Sequence, residues 1–379
     1  MALEQQQGAL MTPEGTKHSH SQCRVIGLFM LLLTIGLTVM SWVLLANMSG
    51  GCGEEMFDKA ANPHRVFVGA VQQLYTDVDE ACWRPGLKWG SQIRSITVPF
   101  SEARGPTHAR HLAATLYRNE DYFFQIDSHS TFRQDWDRHA IEMLDRCPSE
   151  KCFLSHYPPA IGDPGYQIPV LCKSHFDDGA QMPSFEARNF DINVGEFMDS
   201  PFVGAGFQLS SADVLIEVPF DPKLNMMFVG EEILYSARLW TNGWDMFAPD
   251  MNLVWHHYNR ETHPSVFRDR TEEWYYPQLE ANKRARWILG MNETMPPNET
   301  ESSLKYYGMG PARNLSDYWK WSQIDVWDRI ANSEQKFCNQ KHVKKLYSAP
   351  GSANATEGLS PLPSASHQKL PPLRQKLLR

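Results

Sequence analysis

The chain has no surplus of positive charge: 36 lysines and arginines face 44 aspartates and glutamates, a formal net charge of −8 at pH 7. That balance argues against a nucleic-acid partner held by a general basic field. Paired Cys-x-x-Cys spacings are also missing, which argues against a structural zinc site. No internal repeat is found, and there is no dense run of short alternating strands of the kind a jelly-roll barrel requires. What the chain does have is length, 379 residues, enough for one large or two ordinary domains, and many aromatics, 12% with 12 tryptophans. Such a content suits a pocketed protein that handles sugars or flat rings, and equally a large, well-packed core.

The hydrophobic pattern divides the chain. Residues 1–24 are polar, with Lys17, His18, His20 and Arg24, and are expected to form a disordered cytosolic tail. From Val25 to Ala46 no charge occurs. At about 1.5 Å per residue, roughly 22 helical residues cross a hydrocarbon core of about 30 Å. The run exceeds the roughly 7–15 apolar residues of a cleavable signal, so a retained transmembrane helix is expected. Basic residues precede it and Glu54, Glu55 and Asp58 follow it, the pattern of a single-pass type II protein with a luminal body. A stem over 47–62, a luminal domain over 63–340 and a disordered, proline-containing tail over 341–379 complete the expected organisation.

Two features suit a luminal body. Asn-x-Ser/Thr acceptors stand at Asn47, Asn292, Asn298, Asn314 and Asn354. Cys52, Cys82, Cys147, Cys152, Cys172 and Cys338 follow the apolar run, an even number compatible with disulfides, and Cys147 with Cys152 could close a small loop.

Within the body, Tyr122 to Ile126 reads as a strand buried on both faces, leading into Asp127-Ser128-His129. A carboxylate and an imidazole two residues apart on an extended chain point to one side and can share a divalent cation. Strands are also expected over His64–Val71, Ile93–Val98, Cys152–Tyr157 and Leu253–Tyr258. Helices are expected from Gly105-Pro106, over Asp135–Cys147 and from Glu231, where acidic residues in the first turn suit the helix dipole. Strand, helix, strand is parallel-sheet grammar. Residues 158–188, rich in proline and glycine, read as a long loop lining a site. His256 or His257 is a candidate third metal ligand.

Five motifs in order carry a resemblance over roughly residues 64–275. They are Gly105-Pro106-x-x-Ala109-Arg110, Phe124-Gln125-Ile126-Asp127-Ser128-His129-x-x-Phe132, Val218-Pro219-Phe220-Asp221-Pro222, Phe228-x-Gly230-Glu231-Glu232 and His256-x-Tyr258-x-Arg260. Together they resemble the polypeptide α-N-acetylglucosaminyltransferases, which include a cytosolic hydroxyproline-modifying enzyme. More distantly they are similar to the mucin-type polypeptide N-acetylgalactosaminyltransferases, which also use Asp-x-His.

The resemblance implies an α/β glycosyltransferase A-type nucleotide-binding fold, Mn²⁺ or another divalent cation, UDP-GlcNAc as donor and retention at the anomeric carbon. By the same resemblance Asp127, His129 and His256 hold the metal, with His257 the alternative to His256. Arg110 contacts the nucleotide, and Glu231 and Glu232 meet the sugar or acceptor. Val68, on the first strand, is expected to offer backbone contacts to the nucleotide. The acceptor is expected to be a protein or peptide bearing Ser/Thr or hydroxyproline hydroxyls, and the location a Golgi or endoplasmic-reticulum membrane. UDP-GlcNAc and UDP-GalNAc are not separated at this stage. Two other classes stay open: a non-haem iron, 2-oxoglutarate-dependent hydroxylase built on His175-x-Asp177 and His256, and a catalytically inactive, membrane-anchored binding protein.

Overall fold

The computed structural model describes residues 30–33, 54–74, 86, 88–258, 272–296, 299–339 and 344–345. In chain order the elements begin with β1 (Met30–Leu33), α1 (Glu54–Asp58), β2 (Phe67–Leu74), β3 (Ile93–Pro99), α2 (Pro106–Ala114), β4 (Tyr122–Ile126), β5 (Ser130–Phe132) and α3 (Trp136–Arg146). They continue with β6 (Cys152–Ser155), β7 (Ile168–Phe176), β8 (Pro183–Phe190), β9 (Glu196–Phe197), β10 (Phe207–Ser211), α4 (Val214–Glu217), α5 (Glu231–Thr241), β11 (Asp245–Phe247) and β12 (Val254–His256). Three helices follow, α6 (Tyr275–Ile288), α7 (Glu301–Tyr307) and α8 (Leu315–Ser322).

Seven strands form the central sheet in the order β11-β6-β10-β4-β1-β2-β3. β2 pairs parallel with β3 and β11 parallel with β6, while β1 and β10 run antiparallel to both of their neighbours. It follows that β2, β3, β4, β6 and β11 share one direction, and their carboxyl ends lie along one edge. That edge is where α/β sheets bind ligands.

The aromatic composition of β4 explains its central place. Successive side chains point to opposite faces. Phe123 meets Phe220 edge-on at 6.4 Å between ring centroids, while Phe124 meets Phe207 at 4.7 Å and Trp136 at 6.0 Å. Both phenylalanines are fully buried. Each contributes about 1.5–3 kcal/mol by the area it removes from water. Helix α5 starts where expected because Gly230 takes the left-handed conformation, φ 95°, that ends the preceding turn.

The structure corrects four expectations. The part of the apolar run 25–46 that is described, Met30–Leu33, is not helical: it is a strand paired to β2 on one side and β4 on the other. An apolar run this continuous satisfies a buried strand as well as a helix. The rest of the run lies outside the described residues, and among the described residues no helix is long and apolar enough to cross a membrane.

The expected stem does not stay outside the domain. Met56 and Phe57 on α1 are fully buried, the Trp136 indole N–H donates to Met56 O at 2.9 Å, and Asp137 accepts from the backbone of Ala61 and Asn62. The supposed long loop 158–188 contains most of a hairpin, β7 with β8. Its prolines, Pro169 and Pro183, lie within the strands. They are tolerated because these strands pair only with each other, so each keeps an edge that needs no ladder hydrogen bond. Finally, the part of the 341–379 tail that is described, Lys344–Lys345, pairs with β9, and the remainder lies outside the described residues.

Among the described residues two disulfides form. Cys147–Cys152 closes the turn between α3 and β6, and Cys172–Cys338 ties β7 to a segment 166 residues later.

Candidate functional site

Asp127 is the first residue beyond β4, and the chain then turns through Ser128 and His129 into β5. β5 pairs antiparallel with β12, and the register sets His256 opposite Ser130, next to His129. Two strand ends thereby bring three side chains together. His256 Nε2 lies 2.9 Å from Asp127 Oδ2, the rings of His129 and His256 are 4.3 Å apart at their centroids, and the ligand atoms of all three lie within 4.8 Å of one another. His256 is buried, whereas Asp127 remains partly exposed. His257, the alternative ligand, is exposed and its backbone N–H donates to His129 O, as strand alternation requires of a residue next to an inward-facing one.

Burial opposes ionisation of Asp127, but the hydrogen bond to His256 and the charges of His256, His129 and Arg110 outweigh it and hold the carboxyl well below the usual range. One carboxylate with two imidazoles is a donor set suited to a divalent transition ion such as Mn²⁺. His256 Nδ1 is moreover buried with no hydrogen-bond partner among the described residues. The residues therefore fit a metal.

A second network adjoins this cluster. On α2, Arg110 Nη1 and Thr107 Oγ1 both donate to Glu231 Oε2 at the start of α5, the hydroxyl at 2.7 Å, and both Arg110 and Glu231 are buried. Glu232 accepts from the Tyr157 hydroxyl at 2.6 Å and from the Ala205 backbone N–H at 2.7 Å. Burial pushes the Glu232 carboxyl up to about 7 despite those two donors, and the neighbouring Glu231 adds to the rise. Arg110 links the networks, since its charge acts on both Asp127 and Glu232.

The backbone is shaped to allow this. Ala205 lies just before β10, beside the end of β4, and its carbonyl accepts from Gln125 Nε2. At Gly204 an added Cβ would fall 2.7 Å from the Tyr157 ring, so only glycine lets that ring lie flat against the chain and reach Glu232. Tyr258 ring-packs on His256 at 4.1 Å and donates to Pro158 O at 2.8 Å.

Asp127, His129 and His256 are thus brought together, with Arg110, Glu231 and Glu232 in the adjoining network. Val68 is not among them: it lies fully buried inside β2, its backbone paired to Leu31 and to Ile93. His175 is exposed on the hairpin, 3.3 Å from Glu186, and is not part of the convergent cluster. The geometry a facial iron site needs is therefore absent from it. The signature of an inactive protein would be a missing candidate ligand, and Asp127, His129 and His256 are all in place. Tyr157 and Thr107 were not anticipated at the site, and Tyr258 entered only as a motif position without a role. Tyr157 follows β6 much as Asp127 follows β4, and this shared position at a parallel strand's carboxyl end was the signal available.

By sequence, no curated protein matches the chain significantly. Among solved structures it is similar to one described as GalNAc-T7 with UDP, GalNAc and Mn²⁺, at 12% identity and a TM-score of 0.47, covering 81% of this chain and 57% of that one. That likeness is too loose to carry an argument, and this chain spans little more than half of the other's length. A family model described as "Glycosyltransferase (GlcNAc)" matches residues 83–328, which include every residue of the cluster and its adjoining network. The match covers more than half of the chain, and the protein belongs to this GlcNAc glycosyltransferase family.

Proposed function

We propose that the protein is a metal-dependent, retaining glycosyltransferase that moves GlcNAc from UDP-GlcNAc to Ser/Thr or hydroxyproline hydroxyls of polypeptides in the secretory pathway. The observation that carries this reading is the convergence of Asp127, His129 and His256 at the carboxyl edge of the sheet. A divalent cation held by these three would supply Lewis acidity to the departing diphosphate.

The remaining work falls to the chain. In the transfer, the bond from the anomeric carbon to the diphosphate oxygen breaks, a bond from the acceptor hydroxyl oxygen forms, and the hydroxyl proton goes to the departing phosphate. Both glutamates are already committed to hydrogen bonds, Glu231 to Arg110 and Thr107, Glu232 to Tyr157 and Ala205. Glu232 takes a donor on each oxygen, and Glu231, bound through Oε2, is paired with the Arg110 charge, which weakens it as a nucleophile. Front-face attack is therefore favoured over a double displacement. Glu231 and Glu232 then serve to orient hydroxyls of the sugar or acceptor, and Arg110 lends positive charge near the nucleotide.

Disulfides Cys147–Cys152 and Cys172–Cys338 support an oxidising compartment, as do the exposed acceptor asparagines Asn292 and Asn314. The Golgi or endoplasmic-reticulum lumen meets that requirement. The test is transfer from UDP-GlcNAc and UDP-GalNAc, with Mn²⁺, to Ser, Thr and hydroxyproline peptides, read by product mass. Transfer of GlcNAc in preference to GalNAc supports the reading, and exclusive use of GalNAc or of a non-UDP donor overturns the donor assignment.

A further inference from the structure

Beside the metal-ligand cluster runs an open groove of about 680 Å³. Its inner end is formed by Tyr157 and Tyr258, the first bonded to Glu232 and the second packed on His256. Its outer end is formed by Asp163, Tyr166 and Asp191, all exposed, Tyr166 to 83%. The groove is therefore continuous with the site on one side and open to solvent on the other.

Its outer wall is tied to the strand that carries His256. His256 N donates to Pro159 O at 2.9 Å and His256 O accepts from Ile161 N at 3.0 Å. The indole of Trp255 donates to Asp163 O, and Asn252 Nδ2 donates to the carbonyls of Gly165 and Gln167. Gly165, at φ 71°, lies where an added Cβ would strike the Trp255 ring at 2.7 Å. A wall held at this many points on the metal-ligand strand is built to keep its place relative to the reacting centre.

The chemistry of the lining selects an occupant. Asp163 accepts from Gly165 N and Asp191 from Gln167 Nε2, but neither pairs with a cation among the described residues. Tyr166 and Tyr258 offer aromatic faces, and Pro158, Pro159, Pro164 and Pro169 give a rigid, largely apolar floor. Aromatic-lined grooves take extended, polyproline-type backbone. Carboxylates beside exposed tyrosines attract lysine and arginine through charge and through the ring faces.

Resting on the glycosyltransferase reading above, we infer that Asp163, Tyr166 and Asp191 form an acceptor subsite that selects extended polypeptide segments with lysine or arginine a few residues from the modified hydroxyl. They are specificity residues and touch neither the metal nor the reacting atoms.

The test uses the full chain with Mn²⁺ and UDP-GlcNAc and three peptides of one design, Ala-Pro repeats around a central Thr. One carries four lysines, one four glutamines and one four glutamates. The lysine peptide is expected to show a KM about fivefold below that of the glutamine peptide at low salt, with kcat alike, and the glutamate peptide a KM above both. The difference is expected to shrink at 0.5 M NaCl. The doubly substituted chain, Asp163→Asn with Asp191→Asn, removes both charges, and the amide carbonyl at position 163 still accepts from Gly165 N. It is expected to lose the preference while hydrolysing UDP-GlcNAc without acceptor at the wild-type rate. Tyr166→Ala is expected to raise KM for all three peptides. Equal KM values for the three peptides, or a preference that survives the double substitution, overturn the subsite while acceptor-free hydrolysis keeps the transferase reading intact. Absence of UDP-GlcNAc turnover in the wild-type chain, both alone and with each of the three peptides, overturns both together.

Discussion

Arg110 on α2 and Glu231 at the first turn of α5 form a buried ion pair completed by the Thr107 hydroxyl. The pair couples two helices that pack separately on the sheet, beside the Asp127, His129 and His256 cluster. A buried pair of this kind is costly to halve, because the surviving charge has no partner. Arg110→Ala is therefore expected to lower unfolding stability by about 3–5 kcal/mol, and Arg110→Ala combined with Glu231→Gln by clearly less. A denaturant double-mutant cycle checks this; additive losses would contradict it.

The Tyr157 to Glu232 contact depends on the missing side chain at Gly204. Gly204→Ala puts a methyl 2.7 Å from the Tyr157 ring. The ring must move, at about 1–3 kcal/mol of stability, and the hydroxyl leaves Glu232. The expected result is a folded protein whose transfer rate falls to the level of Tyr157→Phe. Wild-type turnover in Gly204→Ala would show that the contact has no part in the reaction.

Glu232 gives the protein a pH signature. Its carboxyl holds its proton up to about 7 in the fold, against about 4.3 in an unfolded chain. Below both values the group is neutral in either state and has no effect. As pH rises from about 4.3 to 7 the unfolded chain ionises first, so stability falls, and above 7 the whole penalty is present. Glu232→Gln, with its carbonyl toward Ala205 N and its amide toward the Tyr157 oxygen, is expected to melt above wild type at pH 8 and close to it at pH 4. Thermal melts across pH 4–8 read this directly, and equal melting temperatures throughout would contradict it.

The disulfides carry unequal weight. Cys172–Cys338 closes a loop of 166 residues and Cys147–Cys152 one of 5. On the chain-entropy account their removal costs about 5 and about 2 kcal/mol respectively. Cys172→Ser should accordingly lower the denaturation midpoint more than Cys147→Ser. Material from secretory cells is also expected to lose mass on N-glycosidase treatment, and to lose less when Asn292 and Asn314 are both changed to Gln; an unchanged mass in wild type would contradict the secretory location.

Much of this was legible in the chain. β4, α2 and α5 could be placed because each has a strong local signature: an all-buried aromatic run, a Gly-Pro start, and acidic residues opening an apolar face. Asp127 and His129 could be paired from their spacing, although the chain joins them through a turn at Ser128 and His129 and not by the alternation of an extended strand. His256 could not be told from His257 until the β5–β12 register was known, because register is a tertiary property. The hairpin β7–β8 was hidden by prolines that are harmless on free strand edges. Met56 and Phe57 were hidden by the polar residues around them, and their burial depends on Trp136 and Asp137, about 80 residues away. The groove beside Tyr258 is likewise assembled from segments far apart in sequence, and no local pattern announces it.

Metal dependence of donor cleavage bears on the proposed chemistry at its root. Release of UDP from UDP-GlcNAc by the full chain is measured with Mn²⁺, with EDTA and in Asp127→Ala and His256→Ala, alongside Mn²⁺ binding by electron paramagnetic resonance. Turnover is expected with Mn²⁺, to be lost in EDTA and to recover on adding the ion back. Both variants are expected to lose turnover together with bound Mn²⁺ while keeping the wild-type circular dichroism. Full UDP release in EDTA, or a wild-type rate in Asp127→Ala, would contradict it.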